Sequence, residues 1–159
     1  PSAVRYPRGK GRGVDIQTQM TELEIGKANI INEINLSESS NKNVAILNFG
    51  IFLSEAEKAA EQLNATIVDM RFVKPLDTNL ITRLANEYDV LVTVEDNVIA
   101  GGAGSGVNEF VVNNQLTTQL LNIGLPDQFI KHGTQQEIYQ ELELTTEGII
   151  KKVTPLLNT

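Results

Sequence analysis

Residues 90–106 read VLVTVEDNVIAGGAGSG. The first five, Val90 to Val94, are all β-branched or leucine, which suits a strand buried on both faces of a sheet. The apolar run stops at Glu95, Asp96 and Asn97. Gly101, Gly102, Gly104 and Gly106 follow, interleaved with Ala103 and Ser105. Val107, Phe110 and Val111 then fall at helical spacing, so the segment predicts strand, acidic turn, glycine loop and helix. In an open α/β sheet that carboxyl edge is where ligands or partner surfaces are met.

The glycine loop admits two readings. Without a Cβ, glycine lets another backbone approach closely, and a row of amide N–H groups at a helix start can cradle an anion. The same feature lets a helix pack tightly on its strand or on a neighbouring subunit. The spacing G-G-x-G-x-G is neither the dinucleotide fingerprint nor a phosphate loop. Glu95 and Asp96 beside it would repel a phosphate. Packing or subunit contact by Gly101, Gly102, Gly104 and Ser105 is the expectation, and a free-standing anion- or nucleotide-binding module using residues 101–106 is the alternative.

At 159 residues with 41% hydrophobic content, the chain suits one ordinary core. It has no cysteine, which excludes disulfides, thiolate metal sites and a cysteine nucleophile and agrees with a cytoplasmic setting. No apolar run approaches the roughly 20 residues that span a bilayer. Pro1, Ser2 and Ala3 read as the interior of a longer chain. The net charge is −7, but Arg5, Arg8, Lys10 and Arg12 give the first 13 residues +4, leaving −11 on the rest. An acidic body argues against nucleic acid or an anionic membrane as partner. The short basic arm is suited to a phosphate on a small substrate, or is simply a solvated leader.

In chain order, residues 1–24 form the arm PSAVRYPRGKGRG and a polar connector with little periodicity. Pro7 biases Tyr6 toward extended backbone, which sets Arg5 and Arg8 on a stiffened bend. A first strand is expected from Ile25, a turn at 37–43, and a second strand at Val44 to Phe49. Ser54 with Glu57 predicts a capping box for a helix lined by Ala56, Ala59, Ala60 and Leu63. Thr66 to Met70 is a third strand. Asp77 caps a helix carrying Leu80, Ile81, Leu84, Ala85 and Tyr88. After the glycine loop and its helix, Gln119 to Ile123 is the last strand. Thr134 with Glu137 makes another capping box, and Thr145 starts a final helix that Pro155 ends. The alternation predicts a mostly parallel sheet of about five strands with helices on both faces. The first two strands, joined without a helix, are expected to pair antiparallel.

Candidate chemistry is sparse. His132, the single histidine, sits in a loop without a nearby serine, cysteine or second histidine, and is expected to be a surface or interface residue. Asp69, Glu95 and Asp96 lie at strand ends, where carboxylates either serve a site or hold loops through backbone N–H groups and nearby cations such as Arg71 and Lys74. No nucleophile, cofactor pocket or metal cage is evident.

The stretches RYPRG (5–9), VDMRFVKPLD (68–77), VTVEDN (92–97), GGAGSGVNEF (101–110) and LNIGLPDQFIKHG (121–133) resemble, in that order, the C-terminal portion of the 1-deoxy-D-xylulose 5-phosphate synthase family. These are thiamine-diphosphate enzymes of the transketolase class, and the likeness covers essentially the whole chain. It implies an α/β/α sandwich around a mixed five-stranded sheet with one antiparallel strand for residues 25–159. Residues 1–24 would be a basic arm and linker from a preceding pyrimidine-binding domain. The implied reaction joins pyruvate and D-glyceraldehyde 3-phosphate, with loss of CO2, in isoprenoid and thiamine biosynthesis. Thiamine diphosphate and Mg2+ would be bound by domains outside this chain, within a cytoplasmic homodimer. The family's substrate-phosphate arginine falls on Arg8, with Arg5 a weaker candidate. No catalytic residue carries over, and the 159 residues alone are expected to be inactive.

Overall fold

Two strands without a single exposed residue in their first halves set the architecture, and the rest of the chain covers them. The computed structural model describes residues 1–6, 18–38 and 42–157. β1 (Asn29–Asn32), β2 (Val44–Phe49), β3 (Thr66–Asp69), β4 (Val90–Val98) and β5 (Gln119–Leu125) form one sheet in the order β1-β3-β2-β4-β5. β3, β2, β4 and β5 run parallel, and β1 lies antiparallel on β3. The mixed five-stranded sheet is therefore as expected. The partner of the odd strand is not, because β1 pairs with β3 and not with β2. All six residues of β2 are buried and both its edges carry parallel neighbours, which leaves a half-exposed strand such as β1 only the outer edge. The chain between β1 and β2 crosses back through a 3-10 turn at Leu36–Glu38, held where the Ile34 N–H donates to Thr66 Oγ1 at 3.0 Å.

The crossovers are helical, as parallel strands require. α1 (Leu53–Leu63), α2 (Thr78–Glu87) and α3 (Ala103–Asn113) follow β2, β3 and β4, and α4 (Gln135–Glu141) and α5 (Thr146–Leu157) close the chain. Strand alternation divides the apolar residues into two cores. Val44, Ile46, Val92 and Val94 meet Phe52, Ala56, Ala59 and Ala60 of the α1 side together with Ile149 and Val153 of α5. Ala45, Leu47 and Leu91 meet Ile81, Leu84, Val107 and Val111 of α2 and α3. Three layers result, and a continuous apolar reading of β2 and β4 follows from their being covered twice.

Local signals fared unevenly. Asp77 caps α2, its Oδ1 accepting the Leu80 N–H at 3.1 Å, and Thr134 and Glu137 form the expected capping box of α4. Ser54 and Glu57 do not cap α1. That helix starts at Leu53 behind Phe52, whose ring is 2% exposed and meets Tyr139 edge-on with ring centroids 4.7 Å apart, so burial of Phe52 fixes where the chain turns. Pro155 does not end α5. It stands in the last turn before Leu157, where its missing donor removes a single helical bond.

Candidate functional site: the carboxyl edge of the central strand

β4 runs past the apolar stretch and carries Glu95, Asp96 and Asn97 within the strand, where a turn was expected. Successive residues point to opposite faces, so Glu95 and Asp96 serve different surroundings. Thr93 and Glu95 share the α3 face with Leu91. Asp96 faces the α1 side.

Glu95 is 2% exposed although it carries a carboxylate. Its Oε2 accepts the Ala103 N–H at 2.7 Å and its Oε1 accepts the Gly104 N–H at 2.9 Å. Those are the first two residues of α3, so the chain's own carboxylate occupies the position an external anion would take at that helix end. The glycines make room for it. A Cβ on Gly102 would overlap the Glu95 carboxylate, and one on Gly104 would overlap Thr93 Oγ1 and the Asn122 amide. Gly101 takes φ +74°, a left-handed conformation that favours glycine, and its N–H donates to Ser105 Oγ at 3.0 Å. Ser105 Oγ in turn donates to the Ile99 carbonyl at 2.8 Å, which closes the turn. Beneath, Asn122 Nδ2 donates to Thr93 Oγ1 at 2.6 Å, and Asn108 Nδ2 donates to Asn122 Oδ1 at 2.5 Å. Polar groups from β4, β5 and α3 thus satisfy one another inside the sandwich.

Asp96 lies over an open cleft of about 530 Å³ whose walls include Leu125, Lys131, His132, Ile138 and Tyr139. Burial pushes the Asp96 carboxyl upward, opposed by the nearby Arg5 guanidinium. Arg5 Nη2 stands 3.5 Å from Asp96 Oδ2. Tyr139, which accepts a hydrogen bond from Gln135 Nε2 at 2.6 Å, has its hydroxyl pushed up, first by burial. Two strands over, at the end of β3, Asp69 accepts the Arg71 N–H at 3.2 Å and pairs with its guanidinium at 3.8 Å.

Of the residues singled out from the sequence, Gly101, Gly102, Gly104 and Ser105 are gathered around Glu95. Arg5 reaches the same strand end from the other face, and His132 lies on the cleft wall. Arg8 lies outside the described residues. The sequence reading did not find the Arg5–Asp96 pair or the Thr93–Asn122–Asn108 ladder. Two polar residues spaced by two inside an apolar strand, Thr93 and Glu95, are the signal that a polar layer lies beneath α3. Among the described residues no three potential metal ligands converge, and no helix is long and apolar enough to cross a membrane.

A doubly covered, mostly parallel sheet with one antiparallel edge strand, its glycine turn filled by an internal carboxylate, defines an α/β/α domain. The model of the family described as transketolase, C-terminal domain, matches residues 33–149, and the chain belongs to that family. It is 57% identical over 153 residues to a 1-deoxy-D-xylulose-5-phosphate synthase of Photobacterium profundum and 56% identical over 153 residues to that of Psychromonas ingrahamii. Each match covers 96% of this chain and 24% of the relative. The Aliivibrio salmonicida protein of the same name is 52% identical over 158 residues, 99% of this chain and 25% of its own. The chain therefore spans about a quarter of the length of these relatives. Among solved structures it is similar to a split-gene transketolase described as an inactive β4 tetramer, at 27% identity and a TM-score of 0.74 over 87% of this chain and 44% of the other.

Proposed function

We propose that this chain is the C-terminal part of a thiamine-diphosphate-dependent transferase that condenses pyruvate with D-glyceraldehyde 3-phosphate to 1-deoxy-D-xylulose 5-phosphate and CO2. The observation that carries the reading is identity of 52–57% to synthases of that name across 96–99% of this chain. In this reading residues 25–159 are the domain and residues 1–24 an arm and linker continuous with a pyrimidine-binding domain. The enzyme is a cytoplasmic homodimer.

Thiamine diphosphate supplies decarboxylation and two-carbon transfer when bound. The described residues do not fit it or its Mg2+. Potential ligands do not converge among them, and the amides at the start of α3, the natural seat for a diphosphate, are taken by Glu95. Both belong to the remaining three-quarters of the protein. The part played by this chain is twofold. Its arm offers Arg8 to the substrate phosphate, for which a planar guanidinium is suited to bidentate contact. Its globule supports assembly, and exposed Val73 and Phe129, just past β3 and β5, are apolar groups suited to burial against other parts of the enzyme. The filled glycine turn favours this over the reading as a free-standing anion or nucleotide module.

The test is Arg8→Ala in the complete enzyme. Loss of one charged hydrogen-bonded contact, about 1.5–3 kcal/mol, raises the KM for glyceraldehyde 3-phosphate roughly tenfold or more. An unchanged KM removes Arg8 from the site. The 159-residue chain alone turns over neither substrate, and activity in it would overturn the division of labour.

A further inference from the structure

We propose that Asp96 is a positioning residue, a seat that holds Arg5 and with it the start of the basic arm against the carboxyl edge of β4. The inference rests on the reading of that arm as a contributor to phosphate binding, and goes beyond it in naming what fixes the arm.

Four observations converge. Asp96 points away from the Glu95 layer into the cleft, where only 23% of its side chain is exposed, so its negative charge is poorly hydrated and calls for a cation. The cation that meets it is Arg5, at 3.5 Å. The flanking Val4 and Tyr6 are 82% and 81% exposed, so burial of the arm's own apolar side chains does not hold it down. The seat is anchored on both flanks, because β4 pairs with β2 up to Glu95 and with β5 again at Val98, and Glu95, the neighbour of Asp96, is tied to α3. A chain advances at most about 3.6 Å per residue, so fixing Arg5 restricts how far the next few residues of the arm can stray. Lys131 shares the cleft with Asp96 and adds positive charge around it, and His132 lines the same cleft. The experiment must therefore separate Arg5 from them.

In the complete enzyme, Asp96→Asn and Arg5→Ala each raise the KM for glyceraldehyde 3-phosphate about three- to fivefold, the range open to one partly exposed ion pair. The KM for pyruvate and kcat stay within about twofold. The double variant is no worse than the poorer single one, and Arg5→Lys, which keeps the charge, recovers most of the loss. Arg5 is largely exposed, so its replacement leaves thermal stability unchanged and separates positioning from folding. Silent single variants, or effects that multiply in the double variant, overturn the seat. If Arg8→Ala raises the KM while Asp96→Asn is silent, only the seat is lost. If Arg8→Ala is silent as well, the reading of the arm fails with it.

Discussion

Glu95 Oε1 sits 2.9 Å from the amide nitrogen of Gly104, and the other oxygen of the same carboxylate takes the amide of Ala103. A buried anion is costly unless it is paired or hydrogen-bonded. Here the helix supplies two donors and the positive end of its dipole.

Glu95→Ala strips both amides of their acceptor within a site that water does not reach. The cost is on the order of 3 kcal/mol, read as a lower urea midpoint of the 159-residue chain. Glu95→Gln is not a rescue. Its amide nitrogen must face one of the two N–H groups, so donor meets donor, and a similar loss is expected.

The glycines of the turn separate by what surrounds them. Gly104→Ala forces a methyl group into Thr93 and the Asn122 amide, both locked in the polar ladder, and costs about 2–3 kcal/mol. Gly106→Ala meets only Leu76 Cδ1, at 3.5 Å, an ordinary contact, and lies within α3. It is neutral or stabilising by up to about 1 kcal/mol through helix propensity. Equal losses at the two positions would show that conformational freedom of the loop, and not the space it leaves for Glu95, is what the sequence maintains.

Asp77 does two jobs. One oxygen caps α2 through Leu80 N–H, and the other accepts the Ala28 N–H at 3.1 Å, tying the chain ahead of β1 to the start of α2. Asp77→Ala loses both and costs about 2 kcal/mol. Asp77→Asn still caps but turns a donor toward Ala28, so roughly half of that loss remains. Thermal unfolding of the three proteins gives the order wild type, Asn, Ala.

What the sequence disclosed was whatever a few neighbouring residues decide. The valine-rich start of β4 announces burial on both faces, Ala56, Ala59 and Ala60 announce a helix face, and Asp77 and Thr134 announce caps, because each signal and its consequence lie within one turn or strand. Ser54 and Glu57 show the limit. Their spacing suits a helix interior as well as a cap, and the burial of Phe52 chose between them. The partner of β1 was hidden for a related reason. Nearness in sequence favours a hairpin with β2, and only the filling of both β2 edges by distant strands excludes it. At the candidate site the sequence offered the carboxylates and the glycines, and weighed loop-holding as one role for Glu95. It did not indicate that Asp96 turns the other way to meet Arg5, a contact between the start of the chain and β4.

A long-range capping contact makes stability depend on acid in a direction that can be worked out. Glu55 of α1 accepts the N–H of Thr146 at 3.0 Å and its hydroxyl at 2.6 Å, so a side chain from one helix caps the start of α5, 91 residues away. The Thr146 hydroxyl bond holds the Glu55 carboxyl below its usual 4.5, with smaller help from the Thr146 amide and Lys58. A carboxyl lowered in the folded state binds fewer protons there than in the unfolded chain. Its stabilisation is therefore complete above 4.5 and drains away as pH falls through the lowered folded value. Thr146→Val removes the hydroxyl donor and keeps the amide, costing about 1 kcal/mol near neutrality. Part of that deficit vanishes in acid, because the wild type has by then lost the same bond. Glu137 and Glu143, also held low by Thr134 and Lys151, titrate alike in both proteins and cancel in the difference. Urea midpoints of the two proteins should thus converge as pH falls from 4.5 through the lowered folded value of Glu55, and curves that stay parallel down to acid unfolding would mean that the Thr146 hydroxyl is not what lowers the Glu55 carboxyl.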